Sequence, residues 1–181
     1  MTYNESYDKT MTKRQTRSEL VRSNLELAKT SNAHVATVHL GDDMNLAFVI
    51  RAAACFGAKS IMVIGSLPPY RILRQLSVGL NNFVEIQQFS TPEHFLQYCR
   101  EQDIAIFSIE LCDQAVSIYD ISFPQQEIVI TTGHETTGVP QVILHKSQPI
   151  YIPMPGVGLC LNTSQAANVA LYEYNRQMRM E

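Results

Sequence analysis

The sequence predicts an α/β domain: a parallel sheet with helices on both faces. Three observations carry this. Short runs rich in β-branched and apolar residues recur along the chain. Several are apolar almost throughout, as in strands covered on both faces. Helical patterns lie between them, as right-handed strand–helix–strand crossovers require.

The strand candidates are residues 34–40 (HVATVHL), 60–65 (SIMVIG), 83–89 (FVEIQQF), 104–110 (IAIFSIE), 127–133 (EIVITTG) and 148–154 (QPIYIPM). Helical patterns occupy 44–56, 70–77, 92–102, 138–146 and 163–179, and residues 17–30 form a separate amphipathic helix before the first strand. The helix from Met44 is apolar or small on nearly every side, the mark of a buried helix. Asp42, Asp43 or Asn45 can cap its start. A lone Arg51 inside it needs a partner, because an unpaired buried charge is prohibitively costly. In the last helix, Asn162, Thr163 or Ser164 serves as a cap. Ala167, Ala170, Leu171, Tyr174 and Met178 fall on one face, where the alanines let another backbone approach closely.

The totals fit this picture. At 181 residues, 45% hydrophobic and 17% charged, the chain suits one domain with a substantial core. We place a polar N-terminal extension at residues 1–30 and the domain proper at 31–181. No apolar run reaches the ~18 residues needed to span a bilayer. The polar start carries no apolar signal region, so a cytoplasmic location is expected. Cys55, Cys99, Cys112 and Cys160 show no CxxC or CxxH spacing, which predicts free thiols and no zinc site. The net charge is −3, yet the first thirty residues hold six basic side chains against four acidic ones. A mildly basic arm on an acidic body could touch phosphate.

In open parallel sheets, ligands bind beyond the carboxyl ends of the strands, so the strand exits carry the chemistry. Three segments stand out. "GDDMNLAFVIRAAACFG" holds Asn45 and Arg51. "IVITTGHETTGVP" ends a buried strand in Thr131 and Thr132, turns at Gly133, and sets Glu135 among exposed backbone amides. "YIPMPGVGLCLNTSQAANVALYEYNRQ" closes an apolar run on prolines, then presents a neutral glycine-rich loop before the last helix. Each signal alone is soft.

Together, in this order, they resemble the three motifs of the SpoU (TrmH-like) RNA ribose 2′-O-methyltransferases of the SPOUT superfamily. The likeness runs from about residue 34 to 178, and "LSVGLNNFVEIQQF" resembles the family's segment after the second strand. The resemblance implies a SPOUT fold whose C-terminal segment threads a loop to form a trefoil knot. It implies S-adenosyl-L-methionine held by backbone groups rather than by a Rossmann fingerprint. The cofactor contacts map onto Gly133, Ile152 and Leu161, with Thr132, Met154, Gly156 and Cys160 beside them. It implies a homodimer, with the C-terminal helix at the interface, and RNA as substrate, tRNA in preference to rRNA. Arg51 matches the family's proposed base. Guanidinium keeps its proton to a pKa above ~12, so Arg51 acts either as an assisted base or as a phosphate clamp. Asn45, Glu135 and Asn162 match the other polar positions and orient Arg51 and the ribose, with Glu135 a natural charge partner for Arg51. The third motif usually reads Ser-Leu-Asn, and here it is Cys160-Leu161-Asn162, a weaker hydrogen-bonding group at that place. A non-catalytic SPOUT-fold binding protein is the alternative. An ordinary nucleotide-binding domain is disfavoured by the lack of GxGxxG and GxxxxGK[ST].

Overall fold

The computed structural model describes residues 16–27, 31–39 and 42–179. Seven strands form one sheet: β1 (Ala33–His39), β2 (Ser60–Gly65), β3 (Glu85–Phe89), β4 (Ala105–Ile109), β5 (Val116–Ser117), β6 (Ile128–Thr132) and β7 (Gln148–Tyr151). Their order is β3-β2-β1-β6-β4-β7-β5, and every neighbouring pair is parallel. All seven carboxyl ends therefore lie along one edge, where the three motif segments leave the sheet.

The helices are α1 (Arg17–Leu27), α2 (Asp43–Phe56), α3 (Tyr70–Leu76), α4 (Pro92–Glu101), α5 (Gln141–Leu144) and α6 (Thr163–Arg179). Alternation along the strands sorts them onto two faces. Val35, Ile61, Val63, Ile128 and Ile130 meet α2 and α6 through Leu46, Ile50, Ala53, Ala167, Ala170, Leu171 and Tyr174. On the other face Ala36, Val38, Met62, Ile64 and Val129 meet Phe95 and Cys99 of α4 and Ile143 of α5. Burial pushes the Cys99 thiol up to about 12, so it serves as a small apolar filler.

Helix α2 starts where Asp42 accepts the amides of Met44 and Asn45, relieving two otherwise unsatisfied donors. It stops at Gly57, whose φ of 67° is the left-handed cap that favours glycine. Beside that cap, the Phe56 ring meets Tyr172 of α6 edge-on at 6.4 Å, and Asn175 donates to the Phe56 carbonyl at 3.2 Å. The alanines of α6 bring it close against α2, as their spacing predicted.

The sheet differs from the sequence reading in particulars. β5 is an added seventh strand, a two-residue edge pairing too short to carry a pattern. The helix expected over 138–146 shrinks to α5, because Gly138 sits at φ 67° and Pro140 precedes the first turn. The third strand starts at Glu85, two residues later than expected, after a 3₁₀ turn at Leu80–Asn82 and a bend at Phe83 and Val84. The last three residues of the 17–30 helix, the exit after Leu40 and residues 1–15 lie outside the described residues. Among those described, no helix is long and apolar enough to cross a membrane.

At the opposite edge, His34 is buried between Ser60 (2.7 Å) and Glu127 (3.2 Å), and Glu127 also takes Lys59. Burial holds the His34 imidazole below its usual range, against the opposing pull of Glu127. The Lys59 ammonium holds Glu127 below the usual carboxylate range. The unfolded chain then binds the His34 proton first, so stability falls as pH drops below about 6.5. Glu127 adds a loss of the same sign at lower pH. A urea midpoint lower at pH 5 than at pH 7.5 is expected, with a smaller drop in His34→Gln. An unchanged pH dependence in that variant would remove His34 as the responsible group.

Candidate active site

The three motif segments converge through one relay of hydrogen bonds. In the first turn of α2, Asn45 Nδ2 donates to Glu135 Oε1 at 2.5 Å. Its Oδ1 accepts from Asn162 Nδ2 at 2.8 Å. Asn162 Oδ1 in turn accepts the Ser164 amide (2.9 Å) and hydroxyl (2.6 Å), so it is the cap of α6 as well as a site residue. Asn45, Glu135 and Asn162, predicted as a set, are thus brought together, each on a different loop of the same sheet edge.

The loop after β6 is a closed hairpin. His134 and Gly138 exchange both backbone hydrogen bonds, at 3.0 and 2.9 Å. His134 Nδ1 accepts from the Thr136 amide and meets its hydroxyl at 2.8 Å, while Nε2 lies 3.5 Å from Glu135 Oε2. Gly133 is obligatory there. A Cβ would lie 2.1 Å from the Gly138 carbonyl carbon and 2.4 Å from the Val139 nitrogen, both backbone atoms that cannot step aside. The Gly133 carbonyl also accepts the Thr163 hydroxyl at 3.1 Å, which ties the start of α6 to the hairpin.

Arg51 departs from the expectation. It is exposed rather than buried, and among the described residues no ion pair or hydrogen bond joins it to Glu135. Its guanidinium carbon lies 5.7 Å from the Phe48 ring centroid. The reason is helical geometry: Met44, Phe48, Arg51 and Cys55 form one exposed stripe along α2. Arg51, Asn45 and Asn162 nevertheless line a single cleft of about 550 Å³ between α2 and α6, together with Phe48, Gln165 and Asn168.

The residues expected around a cofactor lie on the adjoining loops. Ile152 is half-buried against the α2–α6 face of the core, and Leu161 is half-buried. Met154, Gly156 and Cys160 are exposed, and a Cβ at Gly156 or Gly158 would meet nothing within 4 Å. Thr132 is buried and its hydroxyl donates to the Ala36 carbonyl at 3.3 Å, which leaves its backbone as the part that can face a ligand.

Sequence reasoning missed Glu110. At the exit of β4, its Oε2 accepts the Val139 amide at 2.9 Å and its Oε1 accepts the Leu111 amide at 3.2 Å. It latches the far end of the hairpin. An acid ending an apolar strand was the available signal, but its partner lies 29 residues on. In Glu110→Ala, hydrogen exchange at the Val139 amide should speed at least about tenfold, the equivalent of ~1.4 kcal/mol of protection. Unchanged exchange would show that the hairpin closes without this carboxylate.

The sequence and the fold have counterparts among known proteins. The profile of the SpoU rRNA Methylase family matches residues 32–172. The tRNA (guanosine(18)-2′-O)-methyltransferase of Escherichia coli is 28% identical over 134 residues, covering 74% of this chain and 58% of that protein. The chain therefore spans somewhat more than half the length of such relatives. The TrmH/SpoU tRNA modifying enzyme of A. aeolicus superposes with a TM-score of 0.77 at 22% identity, over 90% of this chain and 84% of that one. The AdoMet-bound rRNA methyltransferase from Sinorhizobium meliloti does so with a TM-score of 0.75 at 23% identity, over 83% and 58%. Three motifs converging at one sheet edge, a matching fold and a profile spanning most of the sequence lead to one conclusion: the chain belongs to the SpoU rRNA Methylase family.

Proposed function

We propose that the protein is an S-adenosyl-L-methionine-dependent RNA methyltransferase acting on a ribose 2′-hydroxyl, with tRNA as its substrate. The observation that carries this is the convergence of Asn45, Arg51 and Asn162 in one cleft beside the glycine hairpin. The preference for tRNA follows the activity for which the Escherichia coli relative is named.

The residues present fit the cofactor. Gly156 and Gly158 leave open space, Ile152 and Leu161 offer apolar flanks, and the loop carries no charge. Backbone groups of Thr132, Gly133, Met154 and Cys160 complete the set that would hold an adenosine. The sulfonium supplies an electrophilic methyl, so the protein's task is alignment. Asn45 and Asn162, fixed by each other and by Glu135, orient the ribose. Arg51, with no carboxylate partner among the described residues, clamps the neighbouring phosphate in bidentate fashion. Its charge also eases the developing negative charge on the 2′-oxygen, whose proton leaves to water in the open cleft.

The same reading includes a trefoil knot, formed as α6 passes beneath the 133–138 hairpin. Thr163 bonding the Gly133 carbonyl supports it. It also includes a homodimer. The C-terminal helix is its expected interface: Val169 and Tyr172 of α6 are exposed, beside the exposed Met44 and Phe48 of the adjoining α2. Apolar side chains gathered on one face favour burial against a second copy. Residues 1–30 remain an extension to the domain over 31–181 in this reading.

Calorimetric titration with S-adenosyl-L-methionine should show binding; its absence at millimolar ligand would sink the proposal. Incubation with bulk tRNA and labelled cofactor should transfer methyl, and cofactor binding without transfer would leave only a binding protein. Arg51→Ala should cut transfer by about 10²-fold or more while sparing cofactor affinity. Cys160→Ser should keep or raise activity, and a collapse of turnover would give the thiol a role of its own.

A further inference from the structure

Charge is sorted across the sheet. Residues 44–84 hold four basic side chains (Arg51, Lys59, Arg71 and Arg74) and no aspartate or glutamate. Residues 101–145 hold seven acids and no lysine or arginine. The first segment builds α2, β2, α3 and the 3₁₀ turn, in the half of the sheet that ends in β3. The second builds β4, β5, β6, the hairpin and α5, in the half that ends in β5. Of the four cations, Lys59 is taken by Glu127, and Arg51 lies on the α2 face expected to meet a second copy. Arg71 and Arg74 of α3 remain. Both are exposed, and neither has a carboxylate partner among the described residues. They lie three residues apart, facing away from the buried Leu73, and so are neighbours on the helix surface. Tyr70, 60% exposed, donates its hydroxyl to Asn82 Oδ1 at 2.7 Å, one helical turn before Arg74. The Gly79 amide donates to the Arg74 carbonyl at 2.8 Å, and Arg22 of α1 borders a groove with Val78 and Phe83. A third cation thus adjoins the same turn. Glu19 of α1 and Glu85 of β3, acids of the flanking elements, accept from their own neighbours Thr16 and Gln87.

We propose that α3 is a docking surface for the RNA: Arg71 and Arg74 hold backbone phosphates to one side of the nucleotide being methylated, and Arg22 extends the contact. The inference rests on the proposed function and deepens it by stating where the RNA lies. Helix α3 begins soon after β2 leaves the carboxyl edge, the edge at which Asn45, Glu135 and Asn162 converge. A strand seated on Arg71 and Arg74 therefore runs on toward that site. The chemistry of the patch selects a polyanion. Guanidinium forks match phosphate oxygens in pairs, and no acid within α3 competes for them. The opposite half of the sheet excludes the other approach, because phosphates crossing it would meet carboxylates unrelieved by any lysine or arginine. Segregation of charge, rather than its total, is what lets a chain of net charge −3 receive RNA.

Two double variants of equal charge separate the dock from net charge. Arg71→Ala with Arg74→Ala removes two cations from α3. Arg100→Ala with Lys146→Ala removes two exposed cations beside α4 and α5, on the other face of the sheet. In filter binding of bulk tRNA, the α3 pair should weaken affinity by about tenfold. It should also flatten the slope of log affinity against log salt by about 1.4, the value for two phosphate contacts to a single strand. The Arg100 and Lys146 pair should leave both close to those of the unaltered protein. In the α3 pair KM for RNA should rise, while kcat at saturating RNA and the affinity for S-adenosyl-L-methionine stay the same. Equal losses in the two pairs would overturn the dock, and so would an unchanged salt slope in the α3 pair. Conversion of a dimer to a monomer by the α3 pair in gel filtration would also overturn it, since the arginines would then lie between copies. The binding readouts need no turnover. RNA that binds through α3 but is never methylated refutes the proposed function alone; RNA that does not bind refutes both.

Discussion

One side-chain amide holds the site together. Asn45 donates to Glu135 and accepts from Asn162, joining loops that lie 90 and 117 residues away in sequence. Few side chains could do both. A carboxylate at 45 would repel Glu135, and a hydroxyl could not span the two partners in fixed directions. Because Asn162 also caps α6 and Asp42 positions the first turn of α2, the relay locks two helix starts and one hairpin into register. Gly133 supplies the steric half of the constraint: the hairpin packs so tightly on it that a Cβ there would run into the backbone of Gly138 and Val139.

This frame surrounds an open rim. The glycine-rich segment after β7 has open space at both glycines, and Val157 and Leu159 are almost fully exposed. Fixed polar groups beside an open apolar loop suit the proposed reaction, which would have to align a cofactor with a ribose. The modest overall negative charge is no obstacle, because the charge that matters is local. Arg51 stands in the cleft, and α3 carries Arg71 and Arg74 with no acid in its length.

The sheet was legible because its strands are short and apolar between recognisable helices, and the motif residues Asn45, Glu135 and Asn162 were legible from their order along the chain. What escaped has physical reasons. β5 pairs through two residues, below the length at which alternation can register. Glu110 acts across 29 residues through a backbone amide, a contact no local pattern encodes. Arg51 was expected to be buried because α2 reads as apolar on every side. Its wet stripe is disguised: Met44, Phe48 and Cys55 look like core residues, and only Arg51 betrays the solvent-facing side. Leu46, Val49 and Ile50 carry the burial on the other side, and the small Ala47, Ala52 and Ala53 among them let α2 lie close to the sheet and α6.

Cys160 can be weighed on the same terms. The relay that fixes the site passes through Asn162, two residues further on, and through Thr163 and Ser164. It bypasses Cys160, which is exposed on the open loop. Replacing the family's serine there removes nothing from the frame that aligns the hairpin with the two helices. Any consequence of the exchange must therefore be felt by a ligand lying on the loop, through the weaker hydrogen bond of a thiol, and the architecture of the site is indifferent to it.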